Sequence, residues 1–142
     1  MHRFFRFLPF VLLALAAAAP AQAQNQQELY TVSGIRVDAS GASSTEAFNA
    51  GISQGRPRAF QILFRRLTRQ QDWNRQPALD AAALLRISRG FDIANERRST
   101  TRYVADVTYR FNPDAVARIL RSSGIAFAQG ADRKSTRLNS SH

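Results

Sequence analysis

Four carboxylates carry whatever acid–base chemistry the central part of this chain could perform: Asp38, Asp92, Glu96 and Asp106. Two of them held roughly 5 to 9.5 Å apart in a cleft would form the pair that cleaves a glycosidic bond. The residue types around them exclude most other catalytic apparatus. Between residues 24 and 131 there is neither histidine nor cysteine, which removes Ser-His-Asp and Cys-His nucleophile systems and ordinary zinc, copper and haem ligation. No G-x-x-x-x-G-K-[ST] or G-x-G-x-x-G run occurs, so nucleotide phosphates have no glycine-rich cradle. The expectation is therefore no catalytic residue, no cofactor and no metal. The acids have structural readings instead: Asp38 starts a turn, Asp92, Glu96 and Asp106 occupy solvent-facing strand positions, and Asp80 favours the N-terminal half of its helix.

The basic residues are the second group with chemical reach. Arg65, Arg66 and Arg69 gather at the end of a long helical pattern, and Arg97-Arg98 lie near a hairpin turn. They are candidate contacts for an anionic lipid, a polysaccharide or an acidic partner. The structural alternative is that helix-terminal cations complement the helix dipole and turn arginines are solvated. The 142-residue chain carries +10, and every basic residue is arginine except Lys134. Those arginines are spread along the chain, as GC-rich codon usage would leave them, and do not form one block. Nucleic acid is a poor partner, because no motif interleaves aromatic and basic residues.

These groups must be positioned by an α+β arrangement of order βααββαβ, a small antiparallel sheet with helices packed on one face. Leu29 to Val37 alternates as a first strand, with Tyr30 and Val32 facing one way. Ile35 and Val37 fall out of phase unless Ser33-Gly34 carries a bulge. Ser43 to Thr68 is the organising helix. Its apolar stripe, Phe48, Ile52, Gly55, Ala59, Ile62, Leu63 and Leu67, has the 3.6-residue period, and Ser43 with Glu46 has capping-box spacing. Pro57 costs about 3 kcal/mol inside a helix, less than the roughly 1.5 to 3 kcal/mol for each buried large apolar side chain. A kinked but continuous helix is expected, a break at Gly55-Arg56 being the alternative. Gly55 and Ala59 should admit a close approach by another backbone.

Trp73, in a polar loop over Gln70 to Gln76, is expected to close one edge of the core, a binding platform being the alternative. Pro77 opens a short helix through Ile87, ended by Gly90. Phe91 to Arg98 and Arg102 to Phe111 form a hairpin. In the second strand Tyr103, Ala105, Val107, Tyr109 and Phe111 line one face, with Asp106, Thr108 and Arg110 on the other. Asn112 caps a helix over Pro113 to Ser122 that buries Val116, Ile119 and Leu120, Gly124 ends it, and Ile125 to Ala128 could add a last short strand.

Both ends differ from this domain. Arg3 and Arg6 precede an apolar run from Phe7 to Ala19, and Ala21-Gln22-Ala23 is an A-x-A site, so residues 1–23 read as a signal peptide cleaved before Gln24. The run is too short to span a bilayer, and no transmembrane anchor is expected. Asp132 to His142, DRKSTRLNSSH, resembles the translation of a widely used sequencing adapter. It is expected to be disordered and foreign, with the natural chain continuing past Ala131. The remaining single domain, residues 24–131, has fifteen arginines against nine carboxylates, a net +6.

Three motifs together resemble a known family. They are V-x-G-x-x-V-D-A (Val32, Gly34, Val37, Asp38, Ala39), the helical G-x-x-x-A with L-x-x-R-L (Gly55, Ala59, Leu63, Arg66, Leu67), and F-x-P-x-A-V-x-x-x-L-x-x-x-G-I (Phe111 to Ile125). The combination is similar to a proteobacterial exported family, domain of unknown function number two thousand and sixty-six. Pro57 departs from that family's uninterrupted helix. The resemblance implies an exported protein in which this domain comes first and more chain follows. It supplies no activity and no functional residues.

The expectation is thus a periplasmic, non-enzymatic binding or assembly module whose partner is an envelope protein or an anionic envelope component. A carboxylate-dependent hydrolase of envelope glycans is the alternative.

Overall fold

The computed structural model describes residues 21–128. The expected signal-peptide residues before Ala21 and the adapter-like tail lie outside them. Helix α1 (Ala21–Leu29) leads into strand β1 (Thr31–Ser40), and helix α2 (Ser44–Leu67) is followed by a 3-10 turn (Gln70–Arg75). Helix α3 (Ala81–Ile87), strands β2 (Ser88–Arg98) and β3 (Arg102–Phe111) and helix α4 (Pro113–Ser122) complete the fold. The three strands are antiparallel in the order β1-β3-β2. The class is α+β, as the alternating and 3.6-residue patterns require.

The phase problem in β1 is solved where the glycine allows it. Pairing with β3 shifts register between Val32 and Ile35, and Gly34 takes φ +72°, a left-handed conformation that glycine adopts without a Cβ clash. The bulge turns Val32, Ile35 and Val37 all onto the buried face. Beyond it β1 runs three residues further than its apolar pattern, because Asp38, Ala39 and Ser40 pair with Val104, Tyr103 and Arg102. Asp38 therefore lies within a strand and does not begin a turn.

Helix α2 crosses β1 and β3 and closes the core. Its start is capped twice: the Glu46 amide donates to Ser43 Oγ at 3.2 Å, and Glu46 Oε2 accepts from the Ala42 amide at 3.0 Å. It is continuous through Pro57. Ile52, Ala59, Phe60, Leu63, Phe64 and Leu67 are buried, whereas Ile62 is 37 % exposed. Ile62 sits about 100° round the helix from Leu63, and Phe64 takes the core position instead. The close approach at Gly55 comes from tyrosine side chains and not from a backbone. A Cβ on Gly55 would meet Tyr109 Oη and lie 2.9 Å from Tyr109 Cζ, and one on Gly51 would lie 2.9 Å from Tyr103 Cδ1. Through that gap Tyr109 Oη donates to the Ile52 carbonyl at 2.8 Å.

Four other expectations change. Helix α3 begins at Ala81, not Pro77, because Asp80 is its N-cap and accepts from the Ala83 amide at 2.7 Å. Gly90 is inside β2, at φ +152°, where the ladder with β3 shifts register. Trp73 is 37 % exposed while Asp72 is buried; successive residues of a 3-10 turn stand about 120° apart, so turning one inward turns the next out. Ile125 to Ala128 form no strand. Ile125 is buried, and the Ala128 amide donates to the Leu67 carbonyl at 2.8 Å, ending the segment against α2.

Candidate functional site

The helices and the apolar face of the sheet form the core, so among the described residues the other face of the sheet is left open. On β3 it presents Arg102, Val104, Asp106, Thr108 and Arg110, alternating with the buried Tyr103, Ala105, Val107, Tyr109 and Phe111. Opposite them, β1 offers Arg36 and Asp38, and β2 offers Asp92 and Arg97. The strand register decides which of these charges meet.

Every one of the four candidate acids meets an arginine. Arg102 grips Asp38 with two bonds, Nε to Oδ1 at 2.8 Å and a terminal nitrogen to Oδ2 at 2.6 Å. Arg36 contacts Asp106 Oδ1 at 3.2 Å from the directly opposed position, and Asn95 donates to Asp106 Oδ2 at 2.8 Å. Arg110 pairs with Asp92. Glu96 pairs with Arg98 at 2.7 Å, and that guanidinium lies 4.9 Å from the Phe48 ring centroid and 5.4 Å from that of Tyr103.

The electrostatic result runs against acid catalysis. The Arg102 hydrogen bond holds the Asp38 carboxyl below the ordinary carboxylate range, and that of Arg98 does the same for Glu96. Asp106 is lowered first by the Asn95 hydrogen bond and then by Arg36. A general acid needs its pKa raised towards the working pH. The concavity among these residues, about 350 Å³ bounded by Arg36, Asp38, Arg97, Arg98, Arg102 and Val104, contains a single carboxylate. Among the described residues no group of three or more His, Cys, Asp and Glu gathers closely enough to hold a metal.

The arginines singled out at the end of α2 do not converge. Arg66 donates to the Leu29 and Thr31 carbonyls at 2.9 and 2.7 Å, tying α2 to the start of β1. Arg65 stacks on Trp73, its Cζ 5.1 Å from the ring centroid. Arg69 is exposed, at the entry to the 3-10 turn. Of the hairpin pair, Arg98 covers the core edge and Arg97 faces the open concavity. Sequence reasoning missed Arg36 and Arg102 as partners of the acids. The spacing of Arg102, Asp106 and Arg110 along one strand face was the available signal, but their partners depend on register.

Among the described residues no helix is long and apolar enough to cross a membrane. Comparison with protein-family models, with curated proteins and with solved structures finds no match.

Proposed function

We propose that this chain is an exported, non-enzymatic module of the bacterial envelope that binds a partner or an anionic envelope component. The observation that carries the reading is the pairing of Asp38, Asp92, Glu96 and Asp106, each with its own arginine. The lowered pKa values of Asp38, Glu96 and Asp106 keep those three ionised and make them poor proton donors. What remains is an open, charged sheet face built on a rigid core, a surface for docking. The leader-like N-terminus and the motif resemblance to an exported family support the location.

The test has two parts. Expressed with its own N-terminus in a Gram-negative host, the protein is expected in the periplasmic fraction with a mass that begins at Gln24; an unprocessed cytoplasmic product would defeat the export reading. Incubated with purified peptidoglycan, it is expected to release no soluble glycan fragments. Release that disappeared in Asp38→Asn or Asp106→Asn would establish the hydrolase instead.

A further inference from the structure

The concavity on the open face gains one of its arginines through a single extra residue in β2. Ala94 pairs with Asp106 and Arg97 with Val104, so Asn95 and Glu96 together stand against Ala105. Asn95 takes φ 52°, a left-handed conformation that asparagine tolerates better than most residues. Without this bulge, alternation continued from Ala94 would set Glu96 opposite Val104. With it, Arg97 takes that place, and Glu96 is engaged by Arg98. The bulge exchanges a negative charge for a positive one at the hairpin end of the face.

Val104 is flanked in register by Asp38 on β1 and Arg97 on β2, with Arg36 and Arg102 completing the rim. Arg36 and Arg102 each have one carboxylate partner. Arg97 has none within ion-pair distance among the described residues. A guanidinium has five N–H donors, so Arg36 and Arg102 keep donors available after gripping their acids. Asp38 has both oxygens taken by Arg102 and Asp106 has both taken by Arg36 and Asn95, which blunts their repulsion of an incoming anion.

We propose that this cleft binds a phosphate group, carried on a lipid headgroup or free in solution, with Arg97 as the principal contact and Arg36 and Arg102 as flanking donors. Planar guanidinium forks match phosphate oxygens two at a time. The proposal deepens the envelope-binding reading and rests on it for the source of the anion. It also moves the anionic contact away from Arg65, Arg66 and Arg69.

The experiment uses protein purified after expression of the full chain, and titrates it separately with inorganic phosphate and with phosphatidylcholine vesicles containing phosphatidylglycerol. Arg97→Glu is expected to weaken binding about tenfold, and Arg69→Glu by less than about twofold. Dependence on Arg97 in the phosphate arm assigns free phosphate, and dependence in the vesicle arm alone assigns the headgroup. Equal losses in the two variants would show attraction to net charge only, and absence of binding in both arms would show no site; either result overturns the proposal. Should circular dichroism show that Arg97→Glu misfolds, Arg97→Gln replaces it, with an expected loss of about threefold. Glycan release from peptidoglycan bears on the hydrolase question alone, so the two readings fail separately.

Discussion

Two tyrosines on the inward face of β3, with Ala105 and Val107 between them, show how the worth of a hydroxyl depends on its surroundings. Tyr109 Oη donates to the Ile52 carbonyl at 2.8 Å, while the buried Tyr103 Oη makes no well-formed hydrogen bond and lies beside the Glu96 carboxylate and the Arg98 guanidinium. Tyr109→Phe is therefore expected to cost about 1 kcal/mol and Tyr103→Phe less; urea unfolding of the two variants measures the contrast. Gly55→Ala should cost about 1 to 3 kcal/mol by overpacking against Tyr109 and Val37. Combined with Tyr109→Phe, its cost should fall, because part of the clash is with the hydroxyl. Burial pushes both tyrosines up to about 12 from an ordinary 10. The folded state then retains protons that the unfolded chain gives up. Their contribution is fully present below about pH 10 and is lost as pH rises through about 12, so the urea midpoint should fall over that interval. Asp38, Glu96 and Asp106 act at the other end. Their lowered values mean stability present above the ordinary carboxylate range and lost as pH falls below it.

Among the elements, α2 and β2 accommodate an irregular residue in opposite ways. Pro57 interrupts one hydrogen bond of α2, yet the helix continues from Ser44 to Leu67, because Phe60, Leu63, Phe64 and Leu67 beyond the proline are buried in the same core as Ile52 before it. Packing along a whole face outweighs one lost bond. In β2 the irregularity is retained as geometry: the extra residue between Ala94 and Arg97 re-aims the strand's last charges. Asn95→Val, which resists a positive φ, is expected to destabilise by about 1 to 3 kcal/mol and Asn95→Gly to be tolerated. The comparison is read by thermal unfolding. Equal stability of the two variants would mean that the bulge is not strained in the valine protein and that the strand has found another register.

At the scale of the described residues, one face of the sheet is covered and the other is left to arginine and carboxylate pairs. The covered side is closed at the bottom by the chain after α4, where Ile125 is 4 % exposed and packs into the same core as Leu84 and Val116. Ile125→Ala should cost about 2 to 5 kcal/mol, as expected of a core residue and not of a frayed end. Denaturant unfolding with an unchanged m-value would report that loss. The open side gains little stability from its exposed ion pairs, which solvent screens. Their effect is on chemistry. They hold Asp38, Glu96 and Asp106 ionised and leave the cleft at Arg97 as the place where an anion can add to the network.

The sequence by itself determined the class of the fold, the inward face of β3, the bulge at Gly34, the caps at Ser43 and Asn112, and the continuity of α2. All of these follow from periodicity, glycine and capping chemistry, which act over a few residues. It also excluded histidine- and cysteine-based chemistry from residues 24–131. Only the tertiary structure decided that Asp38 lies inside a strand, that Trp73 turns outward over Arg65, that Ile125 docks without a strand, and which arginine holds which acid. The strand position and the charge pairings depend on the register of strands distant in the chain, and Trp73 and Ile125 on what α2 presents to them. A one-residue shift moves a charge to the opposite face of a sheet, as the bulge before Arg97 does.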